Sequence, residues 1–443
     1  MQTPIADFVR AYAKADGVRF HMPGHKGKRF LGCEPFDVTE IAGADALYEA
    51  EGIIAESERN AARLFGTGGT FFSTEGSSQC VRAMLFLAVR GWRGAGRPYV
   101  VAARNAHKAF LYAAALLDFD VVWLFPEETH SLCSCRISPE QLEDVLKGQE
   151  QPPAAVYVTS PDYLGGRLAV RELAEVCHRN GTILAVDNAH GAYLHFLEQP
   201  QHPMDLGADI CCDSAHKTLP VLTGGAYLHI AKRAPEAFCA DAKQALVLFG
   251  STSPSYLTLA SIDLCNAYLA DGYAGKLAET VRQLERVRRT LRENGWETEE
   301  SDPLKLTLLL PEKENGGSLA RRLGAVGVEC EYADEEYIVF MVTPENDGAD
   351  YERLVRALGE NRSPYLQRGK MRPVQCARRC TVREAFFAPH ERIAVERAVG
   401  RICGAPTVSC PPAIPVVVPG EVIDWNAAAI LKYYNNDTVE VLK

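Results

Sequence analysis

No uninterrupted apolar stretch in this 443-residue sequence reaches the ~18 residues that a membrane-spanning helix requires. The N-terminal stretch MQTPIADFVRAYAKADGVRF mixes charged and apolar side chains, and it lacks both the apolar segment and the small-residue cleavage site of a signal peptide. We therefore expect a cytoplasmic protein with no membrane partner. The length predicts two or three domains, one of them large enough for a sizeable sheet.

Basic residues and paired cysteine motifs are also scarce. Lys and Arg number 47 against 57 Asp and Glu, a net charge of −10. Because a nucleic-acid surface needs a basic stripe, we expect no nucleic-acid partner, whereas a cationic substrate is compatible with this charge. The 14 cysteines are scattered, and Cys133 and Cys135 form a lone C-x-C with no second pair at zinc-binding spacing. This predicts reduced, mostly buried thiols and no metal site.

What the sequence does contain, between residues 99 and 230, is an alternation of short apolar runs with amphipathic helical patterns. The runs YVVAA, DVVWLF, AAVYVTS, TILAVDN, ADICCDS and GGAYLHI predict buried strands of a parallel sheet covered on both faces. In such sheets the ligand lies beyond the carboxyl ends of the strands. Polar clusters follow four of the runs, at residues 105–108, 159–163, 187–190 and 214–217.

After about residue 265 the pattern changes to a long charged helix followed by short strands and helices, which predicts a smaller α+β region. A last segment contains REAFFAPHE and the proline-rich PPAIPVVVPGEVI. We predict an N-terminal arm at residues 1–45, a large domain at 46–265, a small α+β domain at 266–370 and a C-terminal domain at 371–443.

Three of the polar features suggest chemistry. Ser77 and Ser78 follow Gly76 at the predicted start of a helix, where hydroxyls and backbone N–H groups can bind a phosphate; the alternative is an ordinary serine N-cap. Asp187 ends an apolar strand and needs a cationic partner to remain ionised there. Lys217 follows another strand, where its pKa can be lowered enough for attack on a carbonyl. The alternative for Asp187 and Lys217 is a solvated or ion-paired loop residue.

In combination, these features are those that pyridoxal 5'-phosphate requires. A lysine forms the Schiff base, an aspartate keeps the pyridine nitrogen protonated, and a helix N-terminus binds the phosphate. His107, at another predicted strand end, could cover one face of the ring, and the small Ala189 could let the ring approach from the other.

A series of motifs along nearly the whole chain resembles one family. FHMPGHKG, GSSQ, RNAHKAF, VDNAHGAYLHF, DSAHKTLPVLTGGAYLHI, GSTSPSYLTLASID and PPAIPVVVPGEVI occur in the order found in the bacterial ornithine/lysine/arginine decarboxylases, which are pyridoxal-phosphate enzymes of fold type I. The resemblance implies an aspartate-aminotransferase-like large domain with a mostly parallel seven-stranded sheet and a smaller α+β C-terminal part. Because the chain begins almost at HMPGHKG, we expect the short form without the N-terminal wing domain, and no decamers built through that domain.

The resemblance also implies roles for individual residues. Lys217 would be the Schiff-base lysine, Asp187 the partner of the pyridine nitrogen and His107 the stacking ring, while His216 would flank the phosphate and assist proton transfer. A homodimer is implied, in which the STSPSY loop completes the phosphate site of the other subunit. Further cofactor contacts would be Gly76, Ser77, Ser78, Ala189, His190, Ser214, Ser251 and Thr252.

The implied reaction is the decarboxylation of lysine, arginine or ornithine to the amine and CO2, as in polyamine biosynthesis. Glu421, Asp45 and Glu40 are candidates for binding the distal cation of the substrate, although each is more often a turn or ion-pair residue. Departures from the family pattern at Glu75, Asn188 and Gly224–Gly225 leave the substrate open.

Two alternatives remain at this level. An aminotransferase would hold the substrate α-carboxylate with an arginine, for which Arg383 is the candidate, and would break the Cα–H bond instead. A non-catalytic regulatory protein could retain the cofactor-binding fold without turnover.

Overall fold

The computed structural model describes residues 1–15, 17–127, 129–299, 302–365, 373–407 and 412–443. The described chain divides into two compact units. Unit 1 comprises residues 1–93, 150–158 and 170–275, and unit 2 comprises residues 94–149, 159–169 and 276–443. The domain boundaries expected from the sequence stay predictions, and the one between residues 370 and 371 lies outside the described residues.

A seven-stranded sheet is the main β structure. Its strands are β1 Gly69–Ser73, β2 Tyr99–Ala103, β3 Asp120–Leu124, β4 Ala155–Thr159, β5 Leu184–Asp187, β6 Ile210–Asp213 and β7 Ala226–Ile230, in the order β1-β7-β6-β5-β4-β2-β3. β2 pairs with β3 and β5 with β6 in parallel, whereas β7 is antiparallel to both β1 and β6. The predicted mostly parallel seven-stranded sheet is therefore confirmed.

Burial explains why these segments form strands. β5, β6 and β7 are buried at every position, as expected for strands covered on both faces.

The helices are α1 Pro4–Lys14, α2 Ile53–Leu64, α3 Ser77–Gly91, α4 Lys108–Leu117, α5 Pro139–Lys147, α6 Val170–Arg179, α7 Pro203–Leu206, α8 Ala215–Thr218, α9 Glu236–Val247, α10 Tyr256–Ala270, α11 Tyr273–Glu293, α12 Gly316–Ala325, α13 Gly348–Leu358, α14 Val382–Phe387 and α15 Trp425–Tyr433. Short 3-10 helices lie at Glu34–Phe36, Ala192–Phe196 and Val395–Arg397. Within the described ranges, no helix has both the length and the apolarity needed to cross a membrane.

Unit 2 also contains two small sheets. β8 Lys305–Leu309, β9 Tyr332–Ala333 and β10 Tyr337–Met341 form an antiparallel sheet in the order β8-β10-β9, and its core includes Leu306, Leu308 and Ile338. β11 His390–Ala394 pairs with β12 Thr438–Leu442 over a separate apolar core. These sheets, with their helices, are the smaller α+β part that the sequence predicts.

The thirteen cysteines in the described part of the chain form no disulfide, and most of them are buried. Burial raises the pKa of the Cys80 thiol to about 12 and that of Cys135 to about 11. Because the thiolate is the reactive form, these buried side chains act as small apolar groups.

Candidate active site

The N-terminus of α3 is shaped by two glycines. Gly76 is the N-cap, with φ +71°, and its N–H donates to the carbonyl of Gly224 at 2.7 Å. Gly224 has φ +96°, and a Cβ there would lie 2.6 Å from the carbonyl oxygen of Thr74. Both positions require glycine, since a side chain would be strained at each and would also collide with the backbone at residue 224. Gly224, which departs from the family pattern, therefore lies where the backbone of Thr74 leaves no room for a side chain.

Two hydroxyls meet at this helix start. Ser214, which precedes α8, donates from Oγ to Ser77 Oγ at 2.7 Å. Ser77 is the first residue of α3, so it is not the N-cap that the alternative interpretation of this serine required. The first N–H groups of an α-helix have no partner within the helix, and Ser78 continues this first turn. Hydroxyls beside such N–H groups can bind a phosphate.

Asp187 ends β5 and is buried, and its carboxylate is held on several sides. Tyr157 donates from Oη to Asp187 Oδ2 at 2.9 Å, while the backbone N–H of Ala189 donates to Oδ1 at 3.2 Å. The thiol of Cys212 is 3.7 Å from the same Oδ1, because Cys212 is the register partner of Asp187 on β6. Our sequence interpretation missed Tyr157 and Cys212; the only signal was their place within apolar runs of neighbouring strands.

Lys217 lies on α8, directly after β6, and its amine is half-buried. Its Nζ is 3.0 Å from Nε2 of the buried His190, a residue just after β5. An amine and an imidazole at this distance can share a proton. The structure thus brings Lys217, His190 and Asp187 to the carboxyl ends of the adjacent strands β5 and β6.

His216, the neighbour of Lys217, is fixed by the loop before β7. Its Nδ1 donates to the carbonyl of Gly225 at 2.9 Å, and its backbone N–H donates to the same oxygen at 3.2 Å. Burial lowers the pKa of His216 because it disfavours the cationic ring. A neutral ring with its proton on Nδ1 leaves Nε2 as an acceptor.

A fully buried network lies beside these residues. Asp213, the last residue of β6, accepts from Nε2 of His202 at 3.0 Å and of His229 at 3.1 Å, and from the amide of Asn188 at 2.6 Å. Burial alone would raise the pKa of Asp213, but the two imidazoles hold it below its usual range. Asn188, which departs from the family pattern, therefore has a hydrogen-bonding partner in Asp213.

Atoms of His202, Cys211 and Asp213 lie close enough together to surround a metal ion. However, Nδ1 of His202 accepts from the backbone N–H of Met204, so its proton is on Nε2 and points at Asp213. A protonated nitrogen cannot coordinate a metal, and burial keeps the Cys211 thiol protonated by raising its pKa. The hydrogen bonds of this cluster favour a structural role.

His107 lies in unit 2, at the end of β2. It is the N-cap of α4, and its Nδ1 accepts from the backbone N–H of Ala109 at 3.1 Å. The adjacent Asn105 is buried and donates to the carbonyl of Cys133 at 3.3 Å. The hydrogen bond from Ala109 orients the His107 ring.

Glu421, a residue suggested for substrate binding, has a hydrogen-bonding partner and an ion-pair partner within unit 2. Its Oε2 accepts from the backbone N–H of Val418 at 2.8 Å and is 3.7 Å from the guanidinium of Arg104, and both charged side chains are buried. Arg104 also donates to the carbonyls of Pro415 and Val416 at 2.8 and 2.7 Å. This ion pair links Glu421, in the proline-rich segment, to Arg104, which directly follows β2.

The remaining suggested substrate ligands have local partners too. Asp45 accepts from five backbone N–H groups before and within α2, those of Ala46, Glu51, Gly52, Ile54 and Ala55. Burial would raise its pKa, but these donors lower it. Arg383 donates to the carbonyls of Ala115 and Leu116 at the end of α4, and Glu40 accepts from Thr39. Ser251 and Thr252 lie in an exposed loop, where Ser251 accepts from Ser253.

The chain is similar to known proteins in sequence and in fold. The family model for the Orn/Lys/Arg decarboxylase major domain matches residues 3–307, and that for the C-terminal domain matches residues 361–438. The fold is that of the fold type I pyridoxal-phosphate enzymes. The chain belongs to the Orn/Lys/Arg decarboxylase family, which confirms the predicted family, fold class and enzyme class, a decarboxylase acting on a basic amino acid.

Among its relatives, an arginine decarboxylase of Halalkalibacterium halodurans is 29% identical over 480 residues, covering 98% of this chain and 94% of the relative. An arginine decarboxylase of Bacillus subtilis is 29% identical over 467 residues, covering 97% of this chain and 93% of the relative. The structure of the Escherichia coli constitutive lysine decarboxylase superposes with a TM-score of 0.80 at 18% identity, covering 100% of this chain and 82% of that one.

Proposed function

We propose that the chain binds pyridoxal 5'-phosphate at the carboxyl ends of β5 and β6 and uses it to decarboxylate arginine or a related basic amino acid. The observation that carries this proposal is the placement of Asp187 and Lys217, the latter beside His190, at the carboxyl ends of two adjacent parallel strands. The donor set fits the cofactor, since it offers an amine, a carboxylate and hydroxyls at a helix N-terminus. When bound, the cofactor supplies an electron-accepting ring that stabilises the carbanion left after CO2 departs.

Residues at the start of α3 would hold the phosphate end. Ser77, Ser78 and Ser214 offer hydroxyls, and the backbone after Gly76 offers N–H groups at the positive end of the helix dipole. His216, with Nε2 left as an acceptor, would flank this end of the site. The phosphate would thus be bound mainly by neutral donors.

Asp187 would hold the pyridine nitrogen in its protonated form. Tyr157, Cys212 and the Ala189 N–H orient its carboxylate by hydrogen bonding. A buried carboxylate held in this way gains most from a cationic partner, which the protonated nitrogen provides. We propose that the small Ala189 lets the cofactor ring approach on one face, and the stacking role of His107 stays a prediction.

Proton transfer would fall to Lys217. Its Nζ would hold the proton that the substrate Cα receives, and His190 Nε2, 3.0 Å away, would relay a proton back to that amine. The lowered pKa of His216 keeps a second imidazole neutral nearby, which limits repulsion of the ammonium.

Arginine is the first substrate to test, because two matched relatives that cover nearly the whole chain are arginine decarboxylases. Lysine and ornithine have the same distal positive charge and are the next candidates. The product is an amine with a second cationic group, which suits a role in polyamine biosynthesis in the cytoplasm. Because Glu421 and Asp45 have partners within their own units, we do not assign the distal-cation site to them. Arg383, the candidate for binding the substrate α-carboxylate, is likewise engaged by a backbone carbonyl of its own unit.

We also propose a homodimer. Phe20 and Leu31, in the N-terminal segment, have 93% and 91% of their surface exposed, and Val18, Met22 and Phe30 nearby are exposed as well. Clustered exposed apolar side chains mark association surfaces, and a second copy is the usual partner. The exposed Ser251–Thr252 loop would then complete the phosphate site of the other subunit.

The direct test is to incubate the purified protein and pyridoxal phosphate with arginine, lysine, ornithine and neutral amino acids, and to measure CO2 and the amine by mass spectrometry. We expect a basic amino acid to be decarboxylated. Lys217→Ala should abolish both turnover and the visible absorbance of the bound cofactor, because the covalent attachment is lost. If the wild-type protein shows no such absorbance with added cofactor, or forms a keto acid without CO2, the proposal is wrong.

A further inference from the structure

A cavity of about 600 Å³ lies wholly within unit 2 and is lined by none of the residues assigned above to the cofactor. Four arginines and two glutamates contribute to its wall: Arg136, Arg167, Arg288, Arg292, Glu285 and Glu299. We call it the arginine cavity. On a chain of net charge −10, such a concentration of guanidinium groups is unusual.

One of the arginines serves the fold. Arg288 on α11 is buried, forms an ion pair with Glu285, and donates to the carbonyls of Asp302 and Lys305. Its charge is therefore compensated by Glu285, and its donors fix the turn before β8. Neither Arg288 nor Glu285 adds to the net charge that the cavity offers to a ligand.

The other three arginines have no such compensation. Arg136, Arg167 and Arg292 are exposed, and within the described ranges none of them forms an ion pair with a carboxylate. Arg292 donates from Nε to the hydroxyl of Thr298 at 2.7 Å, which holds the side chain without neutralising it. Among the described residues of this wall, Glu299 is the one remaining acidic residue, so three cationic side chains face one anionic side chain.

Arginine cannot relieve such crowding by losing its proton, because its pKa is too high. Repulsion among the three guanidinium groups is then reduced either by solvent and salt or by a bound anion. Guanidinium groups also bind oxyanions through two parallel hydrogen bonds, which adds directional preference to the charge attraction.

The space exceeds what a single small anion needs. A second cavity of about 450 Å³ shares Arg136, Gly166 and Glu299 with the first, so the two are contiguous. Its wall includes His130, Ser134 and Asp162, the last with its Oδ1 engaged by the backbone N–H groups of Leu164 and Gly166. A ligand with several anionic groups, or with one attached to a polar body, fits this space better than an isolated monoanion.

We propose that the arginine cavity is a binding site for a multivalent oxyanion, a polyphosphate or a polycarboxylate, held by Arg136, Arg167 and Arg292. This site goes beyond the proposed decarboxylase activity and does not depend on it.

The test measures binding by titration calorimetry on the full chain in phosphate-free buffer at low salt. Saturating the protein with pyridoxal phosphate first fills the cofactor's own phosphate site. Inorganic pyrophosphate and citrate are the two probes, and the tighter binder identifies the phosphate or the carboxylate class. We expect binding by at least one of them, weakened by added salt.

Substitutions then locate the site. Arg136→Ala and Arg167→Ala should each weaken binding by about tenfold, and the double variant by about 100-fold, because each removes one charge-assisted contact. Glu299→Gln should tighten binding severalfold by removing the opposing charge. Arg321→Ala, an exposed arginine on α12 in the same unit, is the matched control and should leave binding unchanged.

Three results would overturn the proposal: no binding of either probe at low salt, unchanged binding in the Arg136/Arg167 double variant, or an equal loss in the Arg321→Ala control. Because Arg136 and Arg167 are exposed and make no ion pair with the described carboxylates, the variants should keep the wild-type thermal midpoint, and this is measured alongside. A lowered midpoint in the double variant would contradict the assignment of these side chains to a ligand.

Discussion

Asp187 and Asp213 end two adjacent parallel strands, yet their surroundings differ. Asp213 is surrounded by two imidazoles and an amide, all fully buried, which use its carboxylate oxygens completely. Asp187 is held by a tyrosine, a thiol and one backbone N–H, with no cationic side chain among these partners. A position at the end of a strand is therefore not enough to identify a catalytic carboxylate. We expect the charges of the neighbouring side chains to distinguish a ligand-binding aspartate from a structural one.

The largest expected effect concerns the structural member of this pair. Asp213→Asn should lower the free energy of unfolding by about 3–5 kcal/mol, since it removes one side of a buried charged network. Urea denaturation measures this. Asp271→Asn, at an exposed position, should change stability by less than ~0.5 kcal/mol.

The same substitution should remove a pH dependence. Because the folded pKa of Asp213 lies below its ordinary value of 3.8, its contribution to stability is complete at neutral pH and is lost as the pH falls below 3.8 and through the folded pKa. The wild type should thus lose more stability than the variant on acidification in that range. Equal acid sensitivity of the two proteins would contradict the charged state we assign to Asp213.

The member that we propose to be catalytic should respond in the opposite way. Asp187→Asn should reduce kcat/KM by about 10²–10³-fold, because it removes the charge that we propose to face the cofactor. Its stability should change less than that of Asp213→Asn, since the amide can still accept from Tyr157. Steady-state kinetics and thermal unfolding of both variants decide the comparison, and a larger activity loss in Asp213→Asn would invert our assignment.

Glu421 extends the comparison to unit 2, where the carboxylate is paired with Arg104. Glu421→Gln should lower stability by about 1–3 kcal/mol while leaving KM for the basic amino acid unchanged. Arg104→Gln should produce a similar loss, and the double variant less than the sum of the two. A tenfold rise in KM with unchanged stability would instead support Glu421 as a substrate ligand.

The smallest effect should come from the hydrogen bond that orients Asp187. Tyr157→Phe should reduce kcat/KM by about tenfold, which corresponds to ~1.4 kcal/mol. Tyr227→Phe is the control, since it removes a buried tyrosine hydrogen bond to Asn266 on the same sheet without touching Asp187. Equal activity losses in the two variants would show that Tyr157 acts through stability alone.

Much of this arrangement could be predicted from the sequence because it is local. Six apolar runs indicated the strands β2 to β7, and the polar clusters after four of these runs placed Asp187 and Lys217 at the same edge of the sheet. The contacts of Asp187 could not be predicted. Tyr157 is one of several large side chains in apolar runs, and only the order of the strands shows which of them faces a carboxylate.

By itself, the sequence determined the alternating α/β pattern, the family and the chain order of the lysine and aspartate motifs, since these depend on local periodicity and residue type. The tertiary structure alone decided which charges are compensated: Asp213 by His202 and His229, and Glu421 by Arg104. The physical reason is that electrostatic interactions depend on distance and burial in space, and partners far apart along the chain become neighbours only after folding.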